Sequence, residues 1–231
     1  MPTASFAARR SDLEHYFDRT ARDAWAQLTS DAPVSGIRAT VRAGRDRMRE
    51  TLLSWLPDNL SGSALLDAGC GTGALSVEAA QRGARVTAVD VSEGLVNVAR
   101  ERTPGHLAGR IDWRAGDMTA EAGPFDHVVA MDSLIHYEPV DVVRARVRLA
   151  APARRSVAFT FAPRTPLLTV MWFAGRAFPR ADRAPAIVPV TLDGLSRAIK
   201  AAPELADWRI GRTRRIQSGF YTSQALELVR K

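Results

Sequence analysis

Cysteine is almost absent from this chain of 231 residues: Cys70 stands alone. No intramolecular disulfide can form, and a reducing compartment is expected. Lysine is nearly as scarce, at Lys200 and Lys231, so the formal net charge of +7 is carried by arginine. Such an excess attracts anions, whether nucleic acid, acidic lipid or a carboxylate ligand, without choosing among them. No run of five or more basic residues occurs, which argues against a nucleic-acid tail. Long apolar runs are missing too. The longest, Leu167 to Gly175, is about half of the ~20 residues that a spanning helix needs. The stretch MPTASFAARRSDLEHYF lacks the apolar region of a secretory leader, so a cytoplasmic protein is expected. What is present is ordinary for a folded domain: 46% hydrophobic and 25% charged residues, in a length that suits one domain.

Residues 11–30 place Leu13, Phe17, Ala21, Ala24, Trp25 and Leu28 at helical spacing, and Asp31 to Pro33 breaks the pattern. A second helix is expected over 37–56, ended by Pro57. One side carries Ile37, Val41, Met48, Leu52 and Trp55. The other presents Arg38, Arg42, Arg45 and Arg49 as one stripe, read as a solvated face or as cations for an anionic ligand. Strands are then expected at 63–67, 84–90, 110–114, 125–131 and 156–161, alternating with helices at 73–82, 92–101 and 140–149. Apolar strands alternating with helices predict a parallel sheet covered on both faces, an α/β doubly wound, Rossmann-like fold. Residues 162–206 hold six of the 13 prolines together with Leu167, Trp172, Phe173, Phe178 and Ile187, which suggests an insertion. Segments 208–216 and 220–229 read as an antiparallel hairpin joined at Ser218-Gly219.

The most informative segment is Leu65-Leu-Asp-Ala-Gly-Cys-Gly-Thr-Gly73, which follows a strand and opens a helix. Gly69 and Gly71 allow a sharp turn, and Gly73 lets helix and strand approach. Asp90 ends the next strand, where an acid binds a ribose diol in doubly wound folds. Asp117 follows the third strand in Ala-Gly-Asp-Met118. The spacing also satisfies a dinucleotide fingerprint, but a carboxylate at position 67 would repel two phosphates. S-adenosylmethionine carries a sulfonium and an ammonium instead, and three acids at three strand ends suit such a cation. Cys70 has no visible base partner and reads as a small buried filler. No His/Cys/Asp cluster has metal-ligand spacing, so no protein-bound metal is expected. His136 follows the fourth strand at the switch point, where ligands bind. His127 is expected to face out beside its strand, and His106 to sit in a loop.

The DxGxGxG turn, the acid closing the second strand and Gly-Asp-Met closing the third resemble class I methyltransferases. The resemblance implies that Asp67, Ala68, Gly69, Cys70, Gly71 and Gly73 hold the methionine moiety. It also implies that Asp90 and Val91 take the ribose, that Asp117 and Met118 flank the adenine, and that Asp132 borders the cofactor. Tyr16-Phe17 with Trp25, the Asp31 to Ser35 link, Met131 to Tyr137, Phe161 to Pro166 and Ser218 to Tyr221 together resemble the magnesium-protoporphyrin IX O-methyltransferases of the bacteriochlorophyll pathway. That likeness implies S-adenosylmethionine as cofactor, S-adenosylhomocysteine as its product, and methylation of one propionate of a Mg-porphyrin, whose magnesium arrives with the substrate. Tyr16 and His136 are then the catalytic pair. The magnesium chelatase large subunit becomes a candidate partner, with no nucleic acid and at most peripheral contact with the photosynthetic membrane. Other small molecules, RNA or protein as methyl acceptors remain alternatives, as does a non-catalytic binder of the nucleoside. The implied layout is one domain, 1–231: a helical arm (1–58), a cofactor-binding core (59–161), a substrate-cap insertion (162–206) and a closing hairpin (207–231).

Overall fold

Central strands that are apolar on both sides have to be buried on both sides, and the chain satisfies this with one covered sheet. The computed structural model describes residues 11–20, 22–30, 32–135, 139–165 and 187–231. Among them the strands are β1 (Ala64–Ala68), β2 (Arg85–Asp90), β3 (Ile111–Ala115), β4 (Phe125–Ala130), β5 (Ala153–Phe161), β6 (Trp208–Ser218) and β7 (Tyr221–Arg230). They lie in the order β3-β2-β1-β4-β5-β7-β6. The first five are parallel, and β7 runs antiparallel between β5 and β6. The expected doubly wound sheet with a closing hairpin is therefore observed.

Alternate residues feed two cores. Leu66, Val128, Val157, Phe159, Leu226 and Leu228 join the cluster on one face, while Leu65, Val129, Ala158 and Ala225 join that on the other. Helices α2 (Gly36–Leu53) and α3 (Ala74–Gln81) cover the second face, contributing Met48, Leu52, Leu53, Leu75 and Ala79. The first face receives α5 (Pro139–Ala150) and α6 (Leu192–Ala201) through Leu149, Leu195 and Ile199, among others, while α4 (Glu93–Arg102) packs along β2 and β3. With both faces covered, every residue of β4 except the half-buried Asp126 is buried. His127, expected outside, is 5% exposed; its Nδ1 lies 2.8 Å from Ser156 Oγ, and burial pushes the imidazole below its ordinary range.

The arm is less uniform than one helix. Residues 11–15 are helical, Tyr16–Thr20 forms a π turn, and α1 spans Arg22–Leu28. The Thr29 and Ser30 hydroxyls donate back to the carbonyls of Trp25 and Gln27, closing α1. Helix α2 ends at Leu53 rather than at Leu56. The residues before Pro57 leave the α conformation early, and the Trp55 and Leu56 amides bond three residues back.

The proline-rich segment needs a larger correction. Residues 192–206 are not a cap: α6 is capped by Thr191 and buries Leu195 and Ile199 in the sheet's core beside Leu205 and Trp208. Pro163 and Val190 form an isolated parallel bridge that returns the chain to the sheet. Leu167, Trp172, Phe173 and Phe178 lie outside the described residues.

Candidate active site

The glycine turn after β1 owes its shape to absent side chains. Gly69 has φ +87°, and a Cβ there would stand 2.2 Å from Ser133 Cβ. Gly73 has φ +84°, and its Cβ would meet the Trp113 ring at 2.3 Å. Glycine alone fits both constraints. The turn is fixed from below: the amides of Gly69 and Cys70 donate to the Val89 carbonyl, and Ser133 Oγ donates to the Ala68 carbonyl.

Three carboxylates ring this turn. Asp67 is 1% exposed and accepts a 2.6 Å bond from Ser76 Oγ. Burial, with the nearby charge of Asp90, pushes its carboxyl up to about 7 against the Ser76 bond. Asp90 accepts from the Gly71 amide at 2.8 Å and the Ser92 amide at 3.0 Å. Burial raises it too, and those two amides hold it down. Asp117 accepts from the amide and hydroxyl of Thr119, which aims the loop after β3. Burial beside Asp90 and Asp67 holds Cys70 well above the ordinary thiol range, so it is a neutral thiol rather than a nucleophile.

A fourth carboxylate, Asp132, organises the other wall. It has φ +54° and is anchored at both oxygens. Arg45 Nη1 donates to it at 2.7 Å, Tyr221 OH at 3.0 Å, Ser223 Oγ at 3.1 Å and Thr160 Oγ1 at 3.0 Å. Burial, then the Asp132 charge, pushes the Tyr221 phenol far up, so it stays a donor. The Arg45 guanidinium also lies 4.7 Å from the centre of the Trp25 ring. The arginine stripe is thus mostly turned inward. Arg42 clamps the carbonyls of Leu28, Gln27 and Ala32, Arg45 holds Asp132, and Arg49 pairs with Asp46 and Glu78; Arg38 is exposed.

Two adjoining cavities result. The larger, about 340 Å³, takes in Tyr16, Trp25, Gly69, Cys70, Gly71, Asp90, Val91, Asp117, Met118 and Asp132. The smaller, about 290 Å³, lies between α2 and the turn and includes Asp67, Gly69, Cys70, Arg42, Arg45 and Arg49. The structure therefore gathers nearly all of the expected cofactor residues. Ala68, fully buried, and Gly73 shape the turn without lining either cavity. Tyr16 lines the larger cavity, whereas His136 lies outside the described residues. Sequence reasoning missed Trp25, Tyr221 and Ser223 as wall residues, and Arg45 as the cation that joins both cavities.

Comparison with known proteins agrees with this geometry. Residues 130–230 match the family described as magnesium-protoporphyrin IX methyltransferase C-terminus, and residues 65–153 match a general methyltransferase domain. The chain is 46% identical to a magnesium-protoporphyrin O-methyltransferase of Rhodobacter capsulatus, over 98% of this chain and 99% of that protein. A protein of the same name from Synechocystis is 32% identical over 94% and 95% of the two chains. The crystal structure of magnesium protoporphyrin IX methyltransferase from Synechocystis PCC 6803 with bound SAH superposes with a TM-score of 0.84 at 30% identity, covering 96% of this chain and all of that one. This chain belongs to the magnesium-protoporphyrin O-methyltransferase family.

Proposed function

We propose that this chain transfers a methyl group from S-adenosylmethionine to one propionate carboxylate of magnesium-protoporphyrin IX, giving the monomethyl ester. The observation that carries this reading is the larger cavity. It joins the carboxylate-ringed glycine turn to a mouth of exposed apolar side chains, Ile187 at 40% and Phe220 at 61% exposure. A cationic nucleoside suits the acidic end, and a flat apolar macrocycle suits the mouth.

The residues present fit the cofactor. Gly69 and Gly73 hold the turn in a shape that a side chain would drive against Ser133 or Trp113, and Asp67 beside it disfavours phosphates. Asp90 would take the ribose hydroxyls, and Asp117 with Met118 the adenine. The smaller cavity, walled by Arg42, Arg45 and Arg49, would hold the methionine carboxylate. When bound, the cofactor supplies an electrophilic methyl group on its sulfonium.

The chain's own work is placement. A propionate is already ionised near neutral pH, so it needs no strong base. It needs its oxygen aligned and its water removed. Tyr16, on the arm at the cavity wall, would orient the carboxylate by its hydroxyl. His136, following β4, would hold the carboxylate or take a residual proton. Residues 162–191 would cap the macrocycle. The apolar mouth also supports receipt of porphyrin from the magnesium chelatase large subunit and a peripheral seat on the photosynthetic membrane. No helix among the described residues is long and apolar enough to cross a membrane.

The test is turnover: purified protein, S-adenosylmethionine and Mg-protoporphyrin should yield a monomethyl ester seen by mass and by a shifted Soret band on binding. Absence of both ester and shift with folded protein would overturn the reading.

A further inference from the structure

We infer that Asp18 is a positioning residue: it pins the arm's π turn to the start of α4 and thereby sets Tyr16 in the cavity. Asp18 Oδ1 accepts from Ser92 Oγ at 2.5 Å and from the Gly94 amide at 3.0 Å, contacts that span 74 and 76 residues of sequence. Both donors lie at the N-terminal turn of α4, a ten-residue helix whose free amides and dipole favour a carboxylate. Ser92 already caps that helix by accepting from the Leu95 amide. Asp18 therefore joins a rigid cap and not a flexible loop.

A second anchor holds the other end of the arm. Arg42 donates to the carbonyls of Leu28 and Gln27, and Arg102, at the far end of α4, donates to that of Ala26. Cations at the carbonyl end of α1 complement its dipole. Between the anchors, Phe17 packs edge-on against Trp25 at 5.6 Å between ring centres. That contact contributes area without direction, so the charged hydrogen bonds of Asp18 set which way the π turn faces. Tyr16, two residues earlier in the same turn, then lines the cavity.

The pin also communicates with the cofactor end. Ser92 gives its hydroxyl to Asp18 and its amide to Asp90, so one residue links the arm to the carboxylate expected at the ribose. Placement of Tyr16 and binding of the nucleoside thus share a support.

The inference rests in part on the catalytic reading of Tyr16, so docking and turnover are measured separately on the full chain. In Asp18→Ala, amide exchange across residues 16–20 should quicken about tenfold or more while exchange in β1 and β4 stays unchanged. Its kcat for methyl transfer should fall about tenfold, with KM for S-adenosylmethionine moving less than about threefold. Asp18→Asn, which keeps an oxygen acceptor, should recover part of both. Asp18→Ala combined with Tyr16→Phe should be no slower than Tyr16→Phe alone, because the two act through one hydroxyl. Unchanged exchange at 16–20 in Asp18→Ala would overturn the pin, and fully multiplicative losses in the double variant would overturn its action through Tyr16. Full kcat in Tyr16→Phe would remove that tyrosine from the chemistry and leave the exchange result to decide the pin.

Discussion

Ser76 Oγ donates a 2.6 Å hydrogen bond to Asp67 Oδ2, yet the Asp67 carboxyl still titrates at about 7, because full burial outweighs that bond. The proton is therefore linked to binding. A cationic cofactor at the turn favours the ionised form, so below pH 7 binding has to expel a proton. Affinity for S-adenosylmethionine should fall as pH drops from 8 to 6, by up to about tenfold per unit below 7. Asp67→Asn should flatten that dependence and weaken binding at pH 8. Calorimetry in buffers of different ionisation enthalpy checks both; no proton release near pH 7 would sink the idea. The stability sign follows from the same group. The folded chain keeps this proton to about pH 7, whereas the unfolded chain loses it near 3.8. The cofactor-free protein should therefore lose stability as pH rises through that window, and cofactor should restore it.

Gly69→Ala should disrupt the turn. The backbone there has φ +87°, and the added carbon would meet Ser133 Cβ at 2.2 Å. Left-handed backbone alone costs an alanine about 1–2 kcal/mol, and the clash with Ser133 adds to it. The melting temperature should drop by several degrees, and cofactor affinity should fall at least about tenfold. Gly36→Ala is the control: it lies at the start of α2 with nothing within 4 Å, and should be neutral or slightly stabilising.

Phe220→Ser tests the mouth. The side chain is 61% exposed in the turn between β6 and β7, so its loss should leave the melting temperature unchanged. An aromatic face laid on a macrocycle is worth about 1–2 kcal/mol, so KM for Mg-protoporphyrin should rise about tenfold with kcat kept. An unchanged KM would take Phe220 off the porphyrin surface.

How far the site was legible depends on sequence distance. The turn from Asp67 to Gly73 and the acids Asp90 and Asp117 lie where strand meets helix in an alternating pattern, so local spacing places them. The bonds of Asp132 to Arg45 and Tyr221 span 87 and 89 residues and leave no local trace. The Arg38 to Arg49 stripe was visible, but a helical wheel does not say whether its arginines meet water or carbonyls; only the docked arm decides that. His127 was misplaced because side alternation locates an exterior only where a sheet has one, and both faces of this sheet are covered. The proline-rich segment misled in the opposite way. Prolines at 189 and 203 flank α6 rather than interrupt it, which fits their role at helix ends, and the apolar spacing of Leu192, Leu195 and Ile199 was the signal to follow.

The catalytic pair is the most exacting prediction. Tyr16 reaches the cavity on the arm, and His136 follows the fourth strand; they belong to separate elements, so the pair is complete only with the arm docked. If both orient a propionate that is already ionised, their contribution is felt mainly as the oxygen aligns with the methyl group. Removing either should then lower kcat more than it raises KM for the porphyrin. Tyr16→Phe deletes one hydroxyl at a partly exposed position, so folding and S-adenosylmethionine affinity should be retained while kcat falls about tenfold or more. His136→Ala should behave alike, and if the imidazole removes a residual proton the loss should be smallest at low pH, where a protonated ring cannot accept one. Steady-state kinetics between pH 5.5 and 8, with melting temperature as control, separates the outcomes. Full kcat in one variant excludes that residue from the chemistry. A collapsed melting temperature for His136→Ala assigns that histidine to the core instead.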